Sequence, residues 1–261
     1  MGVSGRVSSI IFIMPFLLMA CSTVLPSEVQ SPKYSLARSK PQKKYPIILD
    51  QNGGITRDRY PRPKLVVNSE VTGQIKIFTD RYRKFISKAY NNRQRHYEEL
   101  VELFNREGLP LELLNIGVIE SQFDNHAVSS QGATGIWQFM RSTARNYGLT
   151  VNFWRDERKD PMRSTWAAAN HLKDLFDEFG DWNLALAGYN AGSGAVRRAI
   201  AKGGTRDFWL LAKKSYFRKQ TAEYVPRFIA VSIIMESLPS YGFSEVAGEL
   251  HSSPIYLSYA K

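Results

Sequence analysis

Between Pro110 and Glu120 the chain carries Leu113, Leu114, Ile116, Val118 and Ile119, which leaves a helix there apolar on nearly every side. A helix without a polar face cannot lie on a surface, so the remaining elements must be wrapped around it. Pro110 suits its first turn, and Glu112 lies near the positive end of its dipole. The stretch ends in Glu120-Ser121, so the feature that forces a central helix also carries a carboxyl group to that helix's buried C-terminal end.

The sequence on both sides supplies the elements to surround it. Ile75, Ile77, Phe78, Tyr82, Phe85, Ile86, Ala89 and Tyr90 recur at spacings of three and four, which predicts one amphipathic helix. Tyr97, Leu100, Val101 and Phe104 predict a second, ending before Gly108. After Glu120, Gly132 and Gly135 bracket a short extended or hairpin segment, and Ser142 to Gly148 encloses a brief helix. Asp160-Pro161 reads as an N-cap and first-turn proline for a helix to Gly180, Trp182 to Ala191 as another capped by Gly192, and a short helix runs from Gly194 to Ile200. A last apolar helix spans about Thr221 to Leu238 with Pro226 near its start. The expected class is mainly α in one domain, residues 76–240, with a tail over 241–261 and no internal repeat.

The first 21 residues read differently. Arg6 is the one charge before the apolar run Ile10 to Met19, which is too short to span a bilayer and has the shape of a secretory signal. Leu18-Met19-Ala20-Cys21 places the sole cysteine where a bacterial lipoprotein signal has its acceptor, so 1–21 is expected to be a signal peptide with lipidation at Cys21. The alternative is a plain signal with an incidental cysteine. Ser22 beside the anchor resembles the pattern sent to the outer membrane, giving an expected lipoprotein of the bacterial cell envelope that faces the periplasm. Residues 22–75 hold nine of the 35 Lys and Arg, six prolines and no sustained apolar period, so they read as a basic, extended tether. The net charge of +11 therefore sits partly outside the domain, and no nucleic-acid-binding motif accompanies it.

Breaking a glycosidic bond needs a carboxylic acid still protonated near neutral pH, so its pKa must be raised. Glu120 is placed for this, because desolvation and the negative end of its helix dipole both disfavour the carboxylate. Asp124 follows four residues later and reads as a helix-end residue. His96, His126, His171 and His251 lack metal-ligand partners in the sequence, so neither a metal nor a cofactor is expected.

Glu120-Ser121, then Ser129, Gly132, Gly135, Gln138 and Met140, then Ala187-Gly188-Tyr189-Asn190-Ala191-Gly192 together resemble the lytic murein transglycosylases of the soluble-lytic-transglycosylase type, relatives of goose-type lysozyme. The likeness extends through Leu109-Pro110, Asn146-Tyr147-Gly148, Asp207-Phe208-Trp209 and Tyr224-Val225-Pro226. It implies a lysozyme-like helical fold with a short β-hairpin beside an active-site cleft. It also implies cleavage of the MurNAc-GlcNAc β-1,4 bond of peptidoglycan glycan strands, leaving 1,6-anhydromuramyl ends.

By position, the resemblance makes Glu120 the catalytic acid and base, with Ser121 bracing the loop behind it. Ser129 would bind the N-acetyl group, and Gln138 and Met140 would line sugar subsites. Tyr189 and Asn190 would hold the reacting ring and the Glu120 carboxyl, and Tyr224 would contact substrate. Gly132 and Gly135 would support as backbone devices, while Met140 and Trp137 are open to either a core or a subsite reading. The pattern departs from the family at Gln220, where relatives often carry Glu; Glu223 lies beside Tyr224 instead. Two alternatives stay open at this point, a lysozyme-type muramidase hydrolase and a non-catalytic peptidoglycan-binding lipoprotein.

Overall fold

The structure, a computed structural model, describes residues 60–247. The expected signal peptide, Cys21, most of the tether and residues 248–261 lie outside the described residues. Eleven α-helices are found among the described residues: α1 (Ser69–Asp80), α2 (Arg83–Gln94), α3 (Tyr97–Glu107), α4 (Asn115–Ser121), α5 (Arg141–Asn146), α6 (Pro161–Phe179), α7 (Trp182–Ala191), α8 (Ser193–Gly203), α9 (Phe208–Lys213), α10 (Lys219–Glu236) and α11 (Ser244–Ala247). The fold is mainly α, as the periodicity predicts.

α4 is the axis. Ile116, Gly117 and Val118 are buried, and α2 and α10 pack against it, while α10 also meets α1 and α7 and α6 lies on α3 and α7. The expected single helix from Pro110 begins as a 3-10 turn, Leu111–Leu114, that widens into α4 at Asn115. Asn115 is buried and accepts from Arg93 Nη1 at 3.3 Å while donating to Ser232 Oγ at 3.2 Å, which ties α2, α4 and α10 through side chains.

The cap predicted at Asp160 is present, and the structure adds one at Asp181. Asp160 accepts from the Arg163 N–H at 2.9 Å and Asp181 from the Leu184 N–H at 3.0 Å, each satisfying an amide that a helix start leaves orphaned. Gly180 ends α6 in the left-handed region, φ +66°.

The predicted helix through Ile75 and Tyr90 is two helices, broken at Arg81-Tyr82. No glycine or proline marks the break. The apolar period runs across it because both helices face one core: the Phe78 ring meets Tyr82 at 6.3 Å and Phe85 at 5.7 Å. Packing also reaches past both expected limits of residues 76–240. Tyr60 and Val71 are buried, with Tyr60 edge-on to Phe176 at 5.5 Å, and at the other end Phe243 is buried under the Arg83 guanidinium. Pro226 lies two turns inside α10 rather than near its start.

Among the described residues the strand content is three isolated antiparallel bridges. Val128 with Thr134 and Thr134 with Phe139 form the expected hairpin-like segment, and Val151 with Asp156 closes a second small turn that the sequence did not signal.

Candidate active site

α4 ends abruptly. Gln122 and Phe123 both lie in the left-handed region, φ +56° and +60°, where a non-glycine residue costs of order 1 kcal/mol or more. The reversal is held by the Gln122 N–H on Val118 O and the Phe123 N–H on Gly117 O, both at 3.0 Å, and by Asn92 Nδ2 on Gln122 O at 2.9 Å. Gly117 makes room for it: a Cβ there would sit 2.8 Å from Ile136 Cγ2 and 2.9 Å from the Phe123 ring. The chain thus turns back over the helix end, and the segment from 127 to 139 faces the last turn of α4.

Glu120 stands at that end. Its Oε1 accepts from Tyr224 Oη at 2.7 Å, and burial pushes its pKa from the ordinary 4.5 to about 7, with the Tyr224 hydrogen bond opposing the rise. No neighbouring carboxylate contributes to that shift. Burial and the adjoining Glu120 charge hold the phenols of Tyr224 and Tyr189 well above their usual range, so both remain donors. Asp124 accepts from the His126 N–H at 2.8 Å and serves its own turn, as expected.

The two tyrosines beside Glu120 use their hydroxyls differently. Tyr189 Oη donates to Trp137 O at 2.8 Å and Asn190 Oδ1 accepts from Thr221 Oγ1 at 3.0 Å; the residue on the Glu120 carboxyl is Tyr224. Spacing could not show this, because α10 meets α4 only in the folded chain. Trp137 belongs to the core, stacked on Phe104 at 5.9 Å and bonded through Nε1 to Thr165 Oγ1 at 2.8 Å, whereas Met140 is exposed. Ser121 Oγ lies 2.9 Å from Ile136 O and so joins the helix end to the loop.

Within the loop, Ser129 Oγ accepts from the Ala133 N–H at 3.0 Å. Gln138, φ +46°, donates through Nε2 to Gly135 O at 2.9 Å and Ala127 O at 3.3 Å. Gly135 is obligatory on two counts, φ +81° and a Cβ that would fall 1.9 Å from Arg158 O. Gly132 also has a positive φ, +80°, but open space around it. Gln220 is exposed, and Glu223 is engaged by Arg227 at 3.2 Å and Lys219 at 3.8 Å, so neither replaces the family carboxylate near Glu120.

Two features were missed. Arg158 is buried, pairs through Nε and Nη2 with Asp156 at 2.9 and 2.7 Å, and donates from Nη1 to Gly132 O at 2.8 Å and Phe139 O at 2.9 Å. One guanidinium therefore pins both arms of the loop. Next to it Glu157 is buried, accepting from the Thr150 N–H and pairing with Arg155 and Arg163. The signal available was a charged Asp-Glu-Arg triplet in a short connection, which by composition reads as surface. His171, read as bland, has its ring 4.9 Å from Tyr147 and 5.1 Å from Tyr189, with Nδ1 unpartnered and a pKa lowered to about 4 by burial.

Residues 104–212, which carry Glu120, the loop and the Tyr189-Asn190 turn, match the family described as the transglycosylase SLT domain. Over that range the chain is similar to a transglycosylase SLT domain. Membrane-bound lytic murein transglycosylase D of Escherichia coli (strain K12) is 42% identical over 142 residues, covering 52% of this chain and 30% of that protein. Membrane-bound lytic murein transglycosylase F of Maricaulis maris (strain MCS10) is 35% identical over 141 residues, covering 48% and 29%. Among solved structures, the lytic transglycosylase Slt of Pseudomonas aeruginosa matches with a TM-score of 0.46 and 26% identity, over 56% of this chain and 24% of that one. The chain thus spans less than a third of the length of these curated relatives.

Proposed function

We propose that this protein is a peptidoglycan lytic transglycosylase that cuts the MurNAc-GlcNAc β-1,4 bond with Glu120 as its acid and base. The observation that carries the reading is a half-buried carboxyl with a pKa raised to about 7 by desolvation, positioned by Tyr224. A group half-protonated near neutrality can both give and take a proton at the working pH. Retaining and inverting hydrolases ordinarily need a second carboxylate, and Asp124 is spent on its turn.

In this reading Glu120 protonates the glycosidic oxygen as the muramyl C1–O bond breaks, and the substrate's own acetamido oxygen takes up C1. The Glu120 carboxylate then accepts the proton of the muramyl 6-hydroxyl, and O6 displaces the acetamido oxygen at C1. The ring closes as a 1,6-anhydro sugar and no water is consumed. Ser129 receives the N-acetyl group, Gln138, Met140 and Tyr224 line the sugar path, and Tyr189 and Asn190 fix the walls around it. Ser121, Gly132 and Gly135 shape the loop.

Around this domain the reading places a lipid-anchored enzyme of the outer membrane facing the periplasm, held through Cys21 and a basic tether. The test is digestion of purified sacculi followed by mass spectrometry of the released muropeptides, with and without borohydride. Anhydro ends that resist reduction are expected, and their loss in Glu120→Gln. Reducible muramic ends would make the protein a muramidase, and full lysis by Glu120→Gln would remove the catalytic assignment.

A further inference from the structure

Phe153 and Trp154 are each 89% exposed, the most open large apolar side chains among the described residues. Burial of such a side chain is worth about 1.5–3 kcal/mol, so two adjacent ones held fully in water stand out from scattered surface apolar residues. They are also presented stiffly. Asn152 Oδ1 accepts from the Trp154 and Arg155 N–H groups at 2.9 and 2.8 Å, and the Asn152 N–H reaches Arg155 O at 2.9 Å. The Val151–Asp156 bridge closes the turn beneath, and the two rings meet edge to face, 5.0 Å apart at 89°.

The base of this turn is fastened to the loop that carries Ser129, Gln138 and Met140. Asp156 holds Arg158, which bonds the carbonyls of Gly132 and Phe139; Arg158 O abuts Gly135, and Asn125 Nδ2 reaches Lys159 O at 3.3 Å. The aromatic tip and the proposed sugar-lining loop are therefore one mechanical unit. The arginines nearest the tip are engaged by carboxylates, Arg155 by Glu157, which Arg163 shares, and Arg158 by Asp156. A wedge for anionic lipid would use free cations there. Pyranose rings instead offer apolar C–H faces to aromatic side chains, and a polymer cut at Glu120 extends well past any cleft around that residue.

We propose that Phe153 and Trp154 form an exosite on which the glycan strand of the same substrate stacks outside the cleft. The inference rests on the proposed reading of the Glu120 site. Its occupant is the polysaccharide chain rather than the stem peptide or a membrane.

The experiment compares the full chain with and without Phe153→Ala/Trp154→Ala. Binding to purified sacculi is measured in the Glu120→Gln background, and turnover in the Glu120 background on sacculi and on a soluble two-disaccharide fragment. Both side chains lie outside the core and the turn's hydrogen bonds use backbone amides and Asn152, so unfolding temperature should hold. Sacculus binding should weaken about tenfold, with a parallel loss of turnover on sacculi and no change on the short fragment. A fluorescence change on adding chitooligosaccharide should vanish in Trp154→Phe, since Trp137 and Trp182 are buried and Trp166 and Trp209 half-buried.

Unchanged sacculus binding overturns the proposal. So does equal loss on the short fragment, which would place the tip in the cleft, or a loss confined to phosphatidylglycerol vesicles, which would make it a lipid wedge. Lysis by Glu120→Gln is a separate outcome: it would sink the assignment of Glu120 and leave the binding comparison intact.

Discussion

Replacing Glu120 by Gln should make the protein more stable, by an amount that grows with pH. Burial raises the carboxyl from 4.5 to about 7, so the folded state holds its proton more tightly than the unfolded chain. The stability this gives is fully present below pH 4.5 and is lost as pH rises through about 7, because folding must then bury a charge. At about 1.4 kcal/mol per tenfold in proton affinity, the loss is on the order of 3 kcal/mol by pH 8.5. For a domain of this size that is roughly 6–12 °C in unfolding temperature.

The wild type alone would hide the effect. His171, lowered from 6.5 to about 4, titrates in the opposite sense: its contribution is present above pH 6.5 and is lost as pH falls through about 4. Across pH 4.5–6.5 the two slopes oppose each other. The difference between variant and wild type cancels His171 and isolates Glu120. Gln offers Tyr224 the same carbonyl acceptor, so the 2.7 Å contact can persist. Thermal unfolding followed by circular dichroism from pH 4.5 to 8.5 should show curves close together at the acid end and the variant ahead at the alkaline end. Parallel profiles would refute the burial argument, and with it the physical basis for using Glu120 as an acid.

Tyr224→Phe removes the hydrogen bond that lowers the Glu120 pKa, so the alkaline limb of the pH-rate profile on sacculi should move upward while maximal turnover falls about tenfold through lost positioning. Arg158→Gln breaks a buried ion pair and frees two carbonyls, and should cost roughly 3 kcal/mol with calorimetric unfolding lowered accordingly; Arg158→Lys keeps the charge without the fork and should fall between. Gly135→Ala combines a left-handed backbone with a 1.9 Å approach to Arg158 O, and should cost about 2–5 kcal/mol, read as reduced soluble yield and an early denaturation midpoint.

What could be read in advance was whatever depends on spacing along one element. The buried central helix, the cap at Asp160, and the carboxyl placed at the helix end all follow from local pattern, and all are present in the fold. The break at Arg81-Tyr82 was invisible because apolar periodicity reports which core a residue faces, not whether its helix is continuous. The hydrogen bond from Tyr224 to Glu120 had no signal in the sequence, because contacts between α4 and α10 depend on helix packing, which has no signature in the separation of two residues. Asp156, Glu157 and Arg158 were overlooked for a related reason: composition classes a charged triplet as solvated, and only mutual pairing makes its burial tolerable.

Tyr224 follows Glu120 by 104 positions, and the shift in proton affinity belongs to a pocket that α10 helps to close. A chain emerging N-terminus first exposes Glu120 as an ordinary surface acid until α10 has been made and docked. On the proposed reading the proton affinity that the reaction needs therefore arrives last, with completion of the fold, and a truncated or half-folded copy would lack it.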